Sequence, residues 1–179
     1  MYLYATKRGC NTDWANDEEK AFVKAVKQAV PEIYDSGNLN SVTVKFEVAY
    51  WRKANHIHKW FVENVQDGKD DCGDYYVSVE QLGDLLVLCK QVVKECPLVD
   101  GQVSHGQRMV DGEWQDILKP GKMVKNPERA AELLPTSSGF FFGCIDYDQW
   151  YMADIQETID QLERALKLKG WDYEYHSSW

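Results

Sequence analysis

The chain has 179 residues with a formal net charge of −9, and 13% of its residues are aromatic. An acidic surface repels phosphate backbones, which argues against general nucleic-acid binding. No apolar run approaches the roughly 18 residues of a membrane-spanning helix, and the first ten residues lack the apolar core of a signal peptide. We therefore expect one cytoplasmic domain over residues 1–179, with no membrane partner.

Periodicity divides the first half of the chain into alternating strands and helices. Asn16 precedes three acidic residues, which is typical of a helix start, and Pro31 ends that helix. Apolar and polar residues alternate over 42–48, which is the clearest strand signal. The sequence predicts a strand over 2–6, a helix over 17–30, a turn at 35–38, a strand over 42–48, a helix over 50–65, a strand over 74–77 and a helix over 79–96.

The second half contains the least regular segment, residues 98–126, which glycines and Pro120 interrupt. Asp111-Gly112 predicts a hairpin turn there, so we expect a hairpin insertion or a mobile flap. The sequence then predicts a helix over 127–134, a buried strand or packed loop over 140–142, a long helix from Asp146 to Lys169 and a last strand over 171–176. The predicted class is α+β: a small, mainly antiparallel sheet covered by three to four helices.

A dense group of polar and aromatic side chains lies in the stretch YWRKANHIHKWF, residues 50–61. Interpreted as one helix, it turns an apolar stripe to the core and a cationic ridge to the other side. Arginine can hold a phosphate, an amide can bind a ring edge and an indole can stack on a base. The predicted ligand-binding residues here are Trp51, Arg52, Asn55, His56, His58, Lys59 and Trp60. The alternative is a solvated charged face.

The segment LPTSSG, residues 134–139, is predicted to form the opposite wall of the same ligand site. Its small residues Ser137, Ser138 and Gly139 expose backbone N–H groups that can cradle a phosphate. The alternative is a tight connection in which glycine allows the following phenylalanines to pack closely.

Acid–base catalysis is a third interpretation of the histidines. His58 or His56 can act with Asp70, Asp71 or Asp74, but no nucleophile or hydrolase motif accompanies them. The two histidines are two residues apart, which does not match the helical metal pair. We expect neither a metal nor a cofactor, and we favour a binding protein over an enzyme.

The aromatic tail, residues 171–179, alternates Trp171, Tyr173 and Tyr175 with polar residues. We expect it to complete the chain's own sheet. Pairing with a second copy of the chain is the alternative, which leaves a homo-oligomer open.

Three blocks of the sequence carry a resemblance: YWRKANHIHKWFVENVQDGKDDCGDYYVS, LLPTSSGFFFGCIDYDQWY and the terminal HSSW. They resemble a widespread family of small proteins encoded by bacteriophages and prophages, whose members carry YWRK-N-IH-WF, SGFFFG and SSW-like blocks. The resemblance covers most of the chain and is weakest over 97–132. It implies a phage accessory protein in the cytoplasm of an infected bacterium. It implies no particular catalytic reaction.

In that context we favour a host-defence antagonist that binds and sequesters a small phosphorylated or nucleotide-like signal molecule without cleaving it. One alternative is an inhibitor that binds a host defence protein through an acidic and aromatic surface. The other is a small nucleotide-processing enzyme with His58 as acid or base.

Overall fold

The computed structural model describes residues 1–33, 40–139 and 144–178. The turn predicted at 35–38, the segment predicted at 140–142 and Trp179 lie outside these residues. The strands are β1 (Tyr2–Cys10), β2 (Ser41–Tyr50), β3 (Asp74–Val77), β4 (Leu98–Val110), β5 (Glu113–Val124) and β6 (Asp172–His176). The helices are α1 (Asp17–Ala29), α2 (Asn55–Asn64), α3 (Val79–Glu95), α4 (Pro127–Leu133) and α5 (Gln149–Ala165). The fold is α+β, as predicted.

The larger sheet has the strand order β2-β1-β6-β3, and each neighbouring pair is antiparallel. Strand β1 alternates fully buried Leu3 and Ala5 with half-buried tyrosines, so one face of the pleat enters the core. The aromatic tail pairs within this sheet as β6, where Tyr173 and Tyr175 are buried. The prediction that the tail completes the chain's own sheet is therefore confirmed.

Helices α3 and α5 pack against each other beside this sheet. Ser78 and Gln81 form the predicted capping box at the start of α3. Fully buried Leu82, Leu85 and Cys89 repeat every three or four residues along α3, which gives it one apolar face. None of the helices in the described ranges combines the length and apolar character needed to span a membrane.

Residues 98–126 are far more regular than the sequence suggests. Strands β4 and β5 have 13 and 12 residues and form a long two-stranded hairpin. Asp111 and Gly112 form its turn with φ of 51° and 86°, a conformation that suits glycine and aspartate. The base of the hairpin is fixed, since the Val124 N–H donates to the Tyr147 carbonyl at 3.0 Å. The predicted hairpin with its turn at Asp111-Gly112 is therefore confirmed. Its strands are longer than the sequence indicates, because strands whose residues are mostly exposed carry little alternating apolar signal.

The helix predicted over 50–65 begins only at Asn55. Tyr50 ends β2, and Trp51 exchanges backbone hydrogen bonds with Met1 at 3.0 and 3.1 Å. Lys53 then adopts a φ of 63°, which is incompatible with a right-handed helix. Residues 51–54 therefore form a loop, and the single polar ridge predicted for this stretch does not exist.

The long helix begins later than predicted. The N-cap of α5 is Asp148, whose carboxylate accepts the N–H groups of Trp150 and Tyr151 at 2.8 and 3.2 Å. The sequence interpretation gave this role to Asp146, which instead lies in the segment before the helix. The helix ends at Ala165 and not at Lys169.

Candidate functional site

A pocket of about 240 Å³ lies between the 51–54 loop, the first turns of α2 and α5, and the segments around residues 136 and 144–146. It is lined by Arg52, Lys53, Asn55, His56, Thr136, Cys144, Asp146, Asp148, Trp150, Tyr151 and Asp154. Three of the predicted ligand-binding residues, Arg52, Asn55 and His56, meet here. We call this cavity the α2–α5 pocket.

Two cations belong to the exposed part of the lining, together with Cys144, Asp146 and Trp150. Arg52 and Lys53 are exposed, whereas Trp51 and Ala54 on either side are 2% and 1% exposed. The buried neighbours fix the loop, so the two charged side chains leave it at a defined position. Neither forms an ion pair with any other residue that the structure describes. Both are therefore available to an anion.

The buried part of the lining begins with His56, which is 2% exposed. Its ring lies 4.5 Å from that of Tyr151, and its Nε2 has no hydrogen-bond partner among the described residues. Burial lowers the pKa of His56 to about 3, so the imidazole is neutral at physiological pH. His56 is therefore a neutral, buried group behind the lining and cannot neutralise a phosphate.

Asp148 provides a buried acceptor in the same lining. Its Oδ1 caps α5, while its Oδ2 is buried and has no partner in the described ranges. The residue is 1% exposed. An unsatisfied buried carboxylate oxygen is costly, and such atoms are usually satisfied by an ordered water or by a polar ligand.

Asp154 is a second carboxyl group in the lining and lies one turn and a half along α5. Burial raises its pKa to about 7, with smaller contributions from Glu157 and Asp148. The sequence contained a signal for this residue, since Asp154 is the polar exception on the apolar face of its helix. Lys53, Asp148 and Trp150 were missed, because their role depends on how the loop and the helix start come together.

Asn55 positions the wall of the pocket. Its Oδ1 accepts the Ser137 N–H at 2.9 Å, and its Nδ2 donates to the Cys144 carbonyl at 3.1 Å. The side chain is 2% exposed. Both ends of the amide are thus used to hold the two segments on either side of residues 140–143.

The other predicted residues of the 134–139 segment do not line the α2–α5 pocket. Ser138 and Gly139 border a neighbouring cavity of about 430 Å³, and the Ser137 N–H is bonded to Asn55. The Thr136 N–H donates to the Tyr147 hydroxyl at 3.1 Å. One N–H group of the predicted phosphate cradle, that of Ser137, and the N–H of the preceding Thr136 therefore already have partners within the protein.

Lys59 and Trp60 lie in a separate cavity of about 300 Å³ that shares only His56 with the α2–α5 pocket. Lys59 pairs with Glu63 at 3.8 Å, and the Trp60 ring packs edge-on against Phe61 at 5.2 Å. The residues that were predicted to form one ridge are thus divided between two cavities.

Trp51 and His58 belong to the core. The Trp51 indole N–H donates to Thr158 Oγ1 at 2.8 Å. His58 Nδ1 lies 2.7 Å from the Tyr175 hydroxyl, and its Nε2 lies 3.0 Å from Asp70 Oδ1. Burial lowers the pKa of His58, and the carboxylate of Asp70 partly opposes that shift. The predicted contact of His58 with Asp70 exists, but at 2% exposure the imidazole offers a substrate little access.

Comparison of this chain with protein-family models, curated proteins and solved structures found no match. The phage-family resemblance therefore stays a prediction. The function is argued below from the geometry of the α2–α5 pocket.

Asp154 gives the pocket a measurable dependence on pH. Its folded pKa of about 7 exceeds the ordinary value of 3.8, so the folded state binds more protons between these values. The free energy of unfolding contributed by this group therefore falls as pH rises from about 4 to about 7. We expect Asp154→Asn to raise the Tm at pH 8 and to leave it unchanged near pH 4. The rise should be about 2–4 °C for each kcal/mol by which the free energy of unfolding increases.

Differential scanning calorimetry at the two pH values measures this effect. Asp160→Asn, an exposed change on the same helix, is the control. It should not raise the Tm more at one pH value than at the other. An equal rise of the Tm of Asp154→Asn at both pH values would contradict the assignment.

Proposed function

We propose that this protein binds and sequesters a small phosphorylated, nucleotide-like molecule in the α2–α5 pocket without cleaving it. In the phage setting that the sequence resemblance implies, the ligand would be a signal molecule of the host's defence. The observation that carries the proposal is the presence in one lining of two exposed cations, Arg52 and Lys53, that form no ion pair with the residues the structure describes. The same lining contains Asp148, whose buried Oδ2 has no hydrogen-bond partner in the described ranges.

The size of the pocket limits the ligand. Its volume of about 240 Å³ is below the range of about 300–1,000 Å³ that is usual for drug-sized ligands. A cavity of this size encloses only part of a nucleotide, so the rest of the ligand would lie outside it. The indole of Trp150, 55% exposed in the same lining, offers a flat surface on which a ring can stack.

The chemistry of the lining favours binding over reaction. The Cys144 thiol lies 2.8 Å from Asp146 Oδ2, and burial together with this contact raises the pKa of Cys144 to about 11. A thiol that stays protonated at neutral pH is a poor nucleophile. Among the residues that the structure describes, carboxylates pair with His58 and His176 but not with the neutral His56, so a histidine–acid pair of the usual kind is not formed in this pocket.

Titration calorimetry against nucleoside phosphates, cyclic nucleotides and ADP-ribose-type molecules tests the proposal. We expect binding of at least one of them with a stoichiometry near one, and its recovery unchanged after incubation. Absence of heat from every ligand with folded protein contradicts the proposal. Conversion of the ligand would instead favour a nucleotide-processing enzyme.

The hairpin of β4 and β5 favours a second candidate, inhibition of a host protein. Met109 and Trp114 form a cross-strand pair near its tip and are 56% and 64% exposed. Asp111, Glu113 and Asp116 surround them with negative charge, so the complementary partner is a basic protein surface. If this candidate is correct, a Met109→Ala/Trp114→Ala variant loses a stoichiometric host partner that the unaltered protein binds. Full retention of that partner contradicts it.

A further inference from the structure

The four-stranded sheet has one buried face and one exposed face. Leu3, Ala49 and Tyr175 belong to the buried face and pack in the core. Alternation along each strand turns the intervening side chains to the opposite side of the sheet, which we call the outer sheet face. None of those intervening residues is buried, and Tyr50 and Tyr76 on the two edge strands are 41% and 64% exposed.

Four tyrosine rings lie on the outer sheet face: Tyr2, Tyr4, Tyr50 and Tyr76. Tyr2 and Tyr50 are cross-strand partners with ring centroids 5.2 Å apart, and the Tyr2 ring also stacks on Tyr4 at 6.0 Å. Tyr76 lies on β3, the opposite edge strand. Tyrosine is enriched where one protein binds another, because its ring offers a large apolar surface with a polar tip.

Carboxylates outnumber cations on the same face. The register places four of them there: Glu47, Asp74, Asp172 and Glu174. The basic side chains are Lys45, which pairs with Glu174, His176, and Arg8 at the far end of β1. Glu47 and Asp172 are exposed and form no ion pair with any residue in the described ranges. The face is net negative, as is the whole chain at −9, so its complementary occupant is positively charged.

One cation of the protein itself shows how this face holds a basic side chain. Lys45 Nζ lies 4.6 Å from the centroid of the Tyr4 ring and pairs with the carboxylate of Glu174. The ring and the carboxylate attract the ammonium group together.

The same combination of ring and carboxylate recurs at two diagonal cross-strand positions. Tyr2 is diagonal to Glu47, and Tyr76 is diagonal to Asp172. Diagonal neighbours lie about 7–8 Å apart, which is within reach of one long side chain placed between them. Neither carboxylate has an ion-pair partner among the described residues, so both positions can take a cation from outside.

We propose that the outer sheet face binds a basic segment of another protein, with one arginine or lysine between Tyr2 and Glu47 and a second between Tyr76 and Asp172. The two positions are two strand spacings apart across the sheet and two residues apart along it, about 12 Å in all. Four residues of extended polypeptide span that distance, and residues i and i+4 of an extended chain point to the same side. This surface is separate from the α2–α5 pocket and from the β4–β5 hairpin.

Single-stranded RNA is the other macromolecule that binds exposed rings on an antiparallel sheet, because its bases stack on them. On this face its phosphates would meet four carboxylates, which repel them. The charges therefore favour a basic polypeptide, and RNA is included in the test.

Fluorescence anisotropy with three labelled probes tests the proposal. The probes are a nine-residue peptide that alternates arginine with glycine, its counterpart with glutamate in place of arginine, and decauridylate. At about 0.15 M salt we expect saturable binding of the arginine peptide, at least about tenfold tighter than that of either other probe. Absence of arginine-peptide binding by folded protein overturns the proposal, and so does decauridylate binding that is equally tight.

Tyr2→Thr/Tyr76→Thr removes one ring from each position without changing the charge, and threonine suits a strand. Each cation–ring contact at an exposed site is worth about threefold, so the arginine peptide should bind about tenfold more weakly. Trp14→Thr, which removes a 95% exposed ring elsewhere, is the control and should change the affinity by less than about twofold. Unchanged affinity of the folded double variant would mean attraction by charge alone and would overturn the proposal.

Glu47→Gln/Asp172→Asn gives a second measurement that does not depend on the tyrosine variant, since both residues are exposed. We expect it to weaken binding of the arginine peptide by about fivefold, as for two exposed ion pairs. The control, Glu128→Gln/Asp160→Asn, removes two exposed carboxylates on α4 and α5 and should lose less than about twofold. Equal losses in the two charge variants overturn the assignment to the outer sheet face.

Discussion

Replacing Arg52 and Lys53 together by alanine is expected to weaken binding of the phosphorylated ligand by about a hundredfold. Each side chain is expected to supply a charge-assisted hydrogen bond to the phosphate, worth about 1.5–3 kcal/mol, or roughly tenfold or more in Kd. Each single variant should therefore lose about tenfold. Both residues are exposed, so the changes should leave the free energy of unfolding almost unaltered. Titration calorimetry measures the affinities.

The control for this experiment is Lys24→Ala/Lys94→Ala. It removes two positive charges from exposed positions on α1 and α3, outside the lining of the α2–α5 pocket. The control should change the affinity by less than about threefold at 0.15 M salt, where distant charges are screened. If the control and the double variant lose affinity equally, only the net charge matters and the assignment of Arg52 and Lys53 is wrong.

Trp51→Ala is expected to destabilise the fold by about 3–5 kcal/mol, the usual cost of removing a large ring from a core. Trp51 is 2% exposed, contacts Phe61 at a ring distance of 5.7 Å and donates to Thr158. The change leaves a cavity and removes the hydrogen bond that Thr158 accepts, although the Thr158 hydroxyl still donates to the Asp154 carbonyl. Urea unfolding, with the free energy extrapolated to water, measures the effect.

Trp14→Ala is the matched control, since the same ring is removed from a position that is 95% exposed. It should change the free energy of unfolding by no more than about 0.5 kcal/mol. A similarly small effect for Trp51→Ala would mean that this indole is not part of the core. Its predicted role as a stacking surface for a ligand would then regain support.

The sequence predicted the elements whose signals are local. The helix starts at Asn16 and Ser78 and the turn at Asp111-Gly112 follow from side-chain chemistry within four residues, and the structure has all three. The strand of the aromatic tail follows from simple alternation. These signals were sufficient for the fold class, because a mainly antiparallel sheet with helices is the arrangement that such elements favour.

The site was predicted only in part, since it depends on contacts between distant segments. Helical periodicity over 50–65 is present in the sequence, but pairing of Trp51 with Met1 and the positive φ of Lys53 prevent a helix before Asn55. Because the helix begins later than the pattern indicates, Arg52 and Lys59 line different cavities. The later helix start also brings Arg52 toward the start of α5, which no pattern within either segment could indicate.

Burial was the second property that sequence patterns could not supply. His56 and His58 are polar in the sequence, yet both are 2% exposed, and their pKa values are lowered by burial. Polar residues on a core-facing helix are seldom predictable, because the partners that satisfy them, here Asp70 and Tyr175 for His58, come from other elements.

Native mass spectrometry of the protein purified from bacterial cells that express it, followed by denaturation and identification of any released molecule, tests the central claim most directly. We predict one small phosphorylated molecule per binding site on the unaltered protein, released intact, and absent from the Arg52→Ala/Lys53→Ala variant. A phosphorylated molecule retained equally by that variant, or failure of the folded unaltered protein to bind any phosphorylated molecule at millimolar concentration, would contradict the claim.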